Sequence, residues 1–242
     1  MQPVITTTEI PSPLYSALLE RAKDINVSAS ELLTPIEAEP LHPSVSSKIK
    51  RLIDIVGALV GLSITALIAI PVAIAIQIDS PGSVFYSQTR CGVKGRPFRI
   101  WKFRSMVNDA DQLKHLVKNQ AKGNIFKSKN DPRITRIGAF LRRTSLDELP
   151  QFWNVLRGEM SMVGTRPPTL DEVSKYKPHH WQRLNVKPGI TGEWQANGRS
   201  TVTDFEDVVK LDLAYQNKWS VSYDLQLILK TIWVVLNKHG AC

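Results

Sequence analysis

The sequence predicts a helix-rich α/β (α+β) fold in which one small domain is carried on a single apolar membrane helix. Three observations predict it. From Ile55 to Ile78 no charged residue occurs, and Gln77 is the only strongly polar one. Two short runs, Val84–Gln88 and Pro97–Phe103, read as strands joined through a loop containing Gly92 and Gly95. The later chain carries helical periods, clearest over 204–219 and 223–237. With 242 residues there is material for one good-sized core and not obviously for two.

Residues 1–47 are rich in Pro, Ser, Thr and Glu and read as an acidic, loosely ordered extension with one short helix near 14–23. They hold six acidic and two basic side chains, net −4, so the net +9 of the whole chain leaves +13 on the remainder. A field of that sign attracts phosphates, whether on nucleic acid, anionic lipid or a nucleotide-linked substrate. The two cysteines, Cys91 and Cys242, have no disulfide or metal spacing, which fits a reducing compartment. No apolar segment stands at the extreme N-terminus, so no cleavable signal peptide is expected.

The segment 48–79 holds the apolar run. As a helix, Ile55–Ile78 measures about 36 Å against a hydrocarbon core of about 30 Å. Pro71 removes a helical hydrogen bond and is expected to kink it. Lys48, Lys50 and Arg51 precede the run, and Arg90, Lys94, Arg96 and Arg99 follow it. The positive-inside bias puts both flanks in the cytoplasm. The residues alone leave two readings open: a re-entrant helix bending near Pro71, or an ordinary single span. A buried core helix fits poorly, because the run has no polar face.

The domain over 80–242 opens with a turn, Asp79-Ser-Pro-Gly82, then the two strands. Their basic side chains, Lys102 and Arg104 among them, form either a phosphate- or lipid-facing surface or a solvated strand face. Asn108-Asp-Ala-Asp111 contains a D-x-D pattern, a metal-holding pair in some nucleotide-sugar enzymes. No βαβ series precedes it, so it is read as the acidic start of a helix reaching Lys118. A loop at 130–136 leads to a short helix over 137–141. The segment 186–192 reads as turn-rich. Ser222 is expected to cap the last helix, which is apolar enough to be either well packed or at a membrane surface. The five histidines show no zinc spacing, and neither a Walker A loop nor G-x-G-x-x-G occurs.

The stretch Arg142–Pro168 carries the densest chemistry. Asp147 and Glu148 stand side by side at an expected helix start; Ser145-x-x-Glu148 fits a capping box, and either Ser145 or Asp147 would be the cap. Pro150 lacks an N–H and belongs near the first turn. That start favours charged carboxylates and leaves N–H groups for a phosphate. Arg142 and Arg143 precede it, and Arg166 follows an expected turn at Gly164-Thr165. A carboxylate nucleophile, a second carboxylate for a divalent cation and arginines for phosphate oxygens suit phosphoryl transfer. Ordinary helix capping explains the same carboxylates without chemistry.

Nine segments occur in a familiar order: Lys50-Arg-x-x-Asp54, Asp79–Gly82, Phe98–Met106, Asn130–Arg133, Thr144–Gln151, Asn154–Ser161, Gly164–Pro167, Lys187–Gly192 and Gly198–Ser200. Together they closely resemble the bacterial sugar transferase family, the monotopic phosphoglycosyl transferases, over about residues 48–242. The resemblance implies one re-entrant membrane helix, bent at Pro71 and flanked by Lys50, Arg51 and Asp54. It implies a small catalytic domain on the cytoplasmic face of the bacterial inner membrane. The implied reaction moves a sugar 1-phosphate from a UDP-sugar to polyprenyl phosphate and releases UMP. Asp147 would be the nucleophile, and Glu148, with Asp147 beside it, would hold Mg²⁺. Arg142 and Arg166 would contact substrate phosphate; from the residues themselves, Lys102 and Arg104 on the basic strand join them as phosphate candidates, and Gln195 and Arg199 are candidate sugar-nucleotide contacts. Partners would be UDP-sugar, polyprenyl phosphate and membrane lipid, not nucleic acid, with a homo-oligomer left open. Two departures stand out: Ile70-Pro71 where many members carry Ser-Pro, and Gly164-Thr165-Arg166 where Gly-Pro-Arg is commoner. The chain resembles the minimal form, lacking the extra membrane helices of larger members. The rival reading is a non-enzymatic basic module that binds anionic lipid or polymer at a membrane.

Overall fold

The computed structural model describes residues 41–126, 128, 130–198 and 202–237. The short helix expected near 14–23 lies outside them, as does Arg199. Pro43–Ser46 forms a single helical turn, α1. It is docked through His42, whose ring meets the Trp219 ring edge-on and whose Nε2 lies 3.0 Å from the Gln216 carbonyl.

Helix α2, Lys48–Asp79, is 32 residues long. Ser47 caps it, its hydroxyl accepting from the Lys50 N–H at 3.3 Å. The helical pattern continues through Pro71. The residues buried against the rest of the protein are Lys50, Asp54, Ala58 and Gly61, then Val72 and Ile76, spaced as one helical stripe. Between them the Thr65 hydroxyl lies 3.4 Å from the Leu149 carbonyl. The helix therefore lies along the domain from end to end. Its other faces are apolar and bare: Leu67 is 81% exposed, Ile70 72% and Ile78 80%. Among the described residues it is the one helix long and apolar enough to cross a membrane.

Strands β1 (Phe85–Cys91) and β2 (Pro97–Phe103) pair antiparallel, in register from Phe85 opposite Phe103 to Cys91 opposite Pro97. This is the expected hairpin, with its first strand running on to Cys91. Helix α3 (Arg136–Arg143) follows, then a 3-10 turn over Leu146–Gln151 and α4 (Phe152–Arg157). Strand β3 (Ser161–Val163) and, after the one-turn helix α5 (Leu170–Val173), strand β4 (Gly189–Thr191) form a parallel pair. The chain closes with α6 (Glu193–Gly198), α7 (Phe205–Lys218) and α8 (Val221–Leu236).

Four local expectations are corrected. The helix expected from 108 to 118 is a short 3-10 helix, Gln112–Leu116, which buries no side chain; Asp109 before it is left-handed, φ 58°. Gly164 is not in a turn but beside β4, where its N–H donates to the Thr191 carbonyl at 2.9 Å. A Cβ there would lie 2.0 Å from the Lys187 carbonyl oxygen, so glycine is what lets the backbones meet. The turn-rich reading of 186–192 likewise missed β4. Helix α8 starts two residues early, capped by the Ser220 hydroxyl, which accepts from the Tyr223 N–H at 3.1 Å.

Candidate active site

Asp147 and Glu148 lie in the first turn of the 3-10 segment Leu146–Gln151. The expected capping box is absent, because Ser145 is left-handed (φ 57°) and its side chain makes no cap bond to the helix start. With three residues per turn, Leu146 and Leu149 share a side. Both pack into the cluster of Ile68, Ala69 and Val72 on α2 with Phe103 and Leu141. The apolar half of the segment thus fixes it against the long helix. Asp147 is 4% exposed. The half-buried Lys102 and Glu148 form an ion pair, Nζ to Oε1, of 2.9 Å.

Lys102 and Arg142 connect this pair to a cleft of about 890 Å³, lined also by Arg90, Arg104, Arg133 and Arg166. All four phosphate candidates from the sequence therefore line one cavity. Asp147 and Glu148 are not in its lining; Glu148 joins it through Lys102, and the Asp147 charge acts on Arg142. Arg142 is held by the Ser105 hydroxyl, to which its Nε donates at 2.9 Å. Arg104 is tied back to the end of α2, donating to the Ser80 carbonyl and to Asn108 Oδ1. Gly82, at φ 138°, leaves room for it. Arg166 pairs with Glu172 at 2.9 Å.

The electrostatics follow from burial and from these pairs. Burial lowers the Arg142 pKa, and the Asp147 charge opposes that shift. Burial, then the neighbouring Arg166, pushes Arg90 down to about 10. Burial would raise Glu172, but Arg166 and then Arg90 outweigh it and hold that carboxyl below its ordinary range. The Arg133 hydrogen bond holds Asp131 below its ordinary range, with a 2.6 Å contact between them.

Sequence reasoning placed Arg90 only among the basic side chains of the two strands, and missed Arg133 and Glu172. Glu172 had a readable signal: Thr169-x-x-Glu172 is a capping box, and both of its bonds are present.

Four candidates sit elsewhere. Lys50 does not face a membrane surface. It is 4% exposed, and its Nζ donates to Asp224 at 2.6 Å and to the Val163 carbonyl at 2.9 Å. Asp54 is also buried and accepts from the Ser161 hydroxyl and the Met162 N–H, both at 2.8 Å. Arg51 caps the end of α4 through the Val155 and Leu156 carbonyls at 2.7 and 2.6 Å. These three charges bind α2 to the domain: Lys50 and Arg51 satisfy carbonyls and a buried carboxylate, and Asp54 satisfies a buried hydroxyl and an N–H. Gln195 does not reach the cleft; α6 is tied to α8 by bonds from Tyr223 to Glu193 and from Lys230 to Asn197.

His179, His180 and Glu206 also converge, with both imidazole Nε2 atoms on the one carboxylate at 3.1 and 2.9 Å. His180 Nδ1 accepts the Lys177 N–H at 3.0 Å, so its proton lies on Nε2, the nitrogen a metal would need. The trio is a hydrogen-bonded cluster.

A family profile described as bacterial sugar transferase matches residues 45–238. The chain is 54% identical over 194 residues to the galactosyl transferase CpsE of Streptococcus agalactiae, covering 79% of this chain and 43% of that one. It is 40% identical over 218 residues to the UDP-glucose:undecaprenyl-phosphate glucose-1-phosphate transferase of Escherichia coli, covering 85% and 45%. It is 35% identical over 220 residues to the exopolysaccharide production protein ExoY of Rhizobium meliloti, covering 88% and 96%. The chain thus spans less than half the length of the first two relatives and nearly all of the third.

Proposed function

The chain belongs to the bacterial sugar transferase family, and from that premise we propose that it transfers a sugar 1-phosphate from a UDP-sugar to undecaprenyl phosphate, releasing UMP, as the first membrane step of polysaccharide assembly. The observation that carries this reading is the Asp147–Glu148 pair, held against the lipid-length helix α2 and joined by Lys102 and Arg142 to a cation-lined cleft.

A diphosphate donor and a phosphate acceptor are both anionic and repel each other. Arg142, Arg166 and Lys102 offset the donor's charge. An Asp147 oxygen attacks the phosphorus that bears the sugar. The bond from that phosphorus to the bridging oxygen breaks, and UMP leaves with the electron pair. An oxygen of undecaprenyl phosphate then attacks the same phosphorus, and Asp147 departs as a carboxylate. Two steps keep the two anionic substrates from reacting directly.

The donor set suits Mg²⁺: adjacent hard carboxylate oxygens, with substrate phosphates to complete the shell. Glu148 would hold it with Asp147 beside it, Lys102 sharing the Glu148 carboxylate. Bound there, the ion supplies charge neutralisation at the phosphoryl oxygens.

The chain is membrane-associated in this reading, through α2. Both ends of α2 pack on one small domain: Lys50 and Asp54 at one, Val72 and Ile76 at the other. That supports both ends lying on the same side of the bilayer, the cytoplasmic side by the charge of the flanks, with Pro71 the site of the bend. It also supports 48–79 as the membrane element and 80–242 as the domain at the membrane face.

The reaction is tested with a panel of UDP-sugars and undecaprenyl phosphate in membrane nanoparticles, reading UMP release. One UDP-sugar is expected to turn over, chelation of Mg²⁺ to stop it, and Asp147→Asn to abolish it. No UMP from any donor, or undiminished release by Asp147→Asn, contradicts the reading. Thiol labels placed at 41–47 should react from the cytoplasmic side; reaction only from outside contradicts the re-entrant helix.

A further inference from the structure

The reaction above, on which this inference rests, uses Arg166 but neither Arg90 nor Glu172. We infer that Arg90 and Glu172 are positioning residues that clamp Arg166 from two sides and present it to the donor's phosphates. Arg166 is followed by Pro167 and Pro168, which have no N–H. That segment is therefore held through its carbonyls. Arg90 Nη1 donates to the Pro167 carbonyl at 2.9 Å, and the Cys91 N–H donates to the Pro168 carbonyl at 2.9 Å. Arg90 also bridges Thr169 through the backbone, and its Nη2 is fixed by Gln88 Oε1 at 2.7 Å. The backbone of Arg166 is thus tied to β1.

The guanidinium is aimed by Glu172. Its Oε2 accepts the Thr169 N–H at 2.8 Å, and the Glu172 N–H donates to the Thr169 hydroxyl at 3.1 Å. This locks the carboxylate to the start of α5. The same carboxylate takes Arg166 Nη1 at 2.9 and 3.2 Å. Glu172 pairs with Arg166, while Arg90 donates to the neutral oxygens of Pro167 and Gln88, and all three side chains line the cleft.

A double-mutant cycle tests the inference: Arg90→Met and Arg166→Ala, singly and together, read as kcat/KM and as binding of inorganic pyrophosphate. Arg90→Met alone is expected to lower both about 10- to 100-fold, the loss of a hydrogen bond from a charged donor. In the Arg166→Ala background it is expected to change them less than about 2-fold, because it acts through a side chain no longer present. Arg90→Lys, which keeps a donor for Pro167, is expected to recover most of the loss, each variant being read well below its own melting transition. Equal losses in both backgrounds, or no loss in either, overturn the inference. Coupling in pyrophosphate binding with no turnover of any UDP-sugar supports the clamp and overturns the proposed reaction instead.

Discussion

Lys50 offers a test of how α2 is attached. Its ammonium and the Asp224 carboxylate are 2.6 Å apart, with side chains 5% and 2% exposed. Asp224 also accepts from the Tyr215 hydroxyl at 2.8 Å and from Trp219 Nε1 at 3.1 Å. Lys50→Met removes the cation and leaves that carboxylate buried, together with the Val163 carbonyl. Breaking a buried pair from one side costs about 3–5 kcal/mol. For a chain of this size that lowers Tm by about 6–20 °C. Adding Asp224→Asn removes the stranded charge and keeps an acceptor for Trp219, its NH2 donating to the Tyr215 hydroxyl, which in turn donates to the Val163 carbonyl, so the double variant should return to within about 2 kcal/mol of the wild type. The assay is thermal unfolding in detergent. If Lys50 faced lipid headgroups, Lys50→Met would cost at most about 1 kcal/mol, as exposed pairs do. A Tm within about 2 °C of the wild type refutes the buried-pair argument.

Two further predictions concern the Arg166 segment. Glu172 has a depressed pKa, so its stabilising contribution is complete above the ordinary value of 4.5 and is lost as pH falls through the folded value. Melting curves of the wild type and Glu172→Gln should differ at pH 6–7 and converge on acidification below about 4.5; a gap that stays constant contradicts the assignment. Gly164→Ala would place a Cβ 2.0 Å from the Lys187 carbonyl oxygen and 3.0 Å from Pro188 backbone. It should cost about 1–3 kcal/mol or more, whereas Gly92→Ala, whose nearest neighbour is at 3.4 Å, should stay within about 0.5 kcal/mol. Equal melting temperatures for the two variants would remove the close approach of β3 and β4.

The legible parts of the molecule were the local ones. The β1–β2 hairpin and helices α2 and α7 announce themselves by period and by their ends. Strands β3 and β4 did not, because three-residue parallel strands depend on partners 28 residues apart, Ser161 and Gly189. The carboxylate pair was found, but its setting was misjudged: a left-handed Ser145 and Pro150 produce a 3-10 turn where an α-helical cap was expected. Lys50 and Asp54 read as membrane flanks because they border an apolar run. Their partners, Asp224 and Ser161, lie 174 and 107 residues away, beyond any local pattern. No local pattern fixes where Gln195 lies, and packing of α6 against α8 places it away from the cleft.

The central claim is that an Asp147 oxygen carries the sugar phosphate between donor and acceptor. Intact-protein and peptide mass spectrometry after mixing with the accepted UDP-sugar, with the lipid acceptor withheld, tests it directly. The account predicts one added sugar phosphate on the peptide containing Asp147, discharged when undecaprenyl phosphate is supplied. An adduct on another residue, or turnover with none at all, would contradict it.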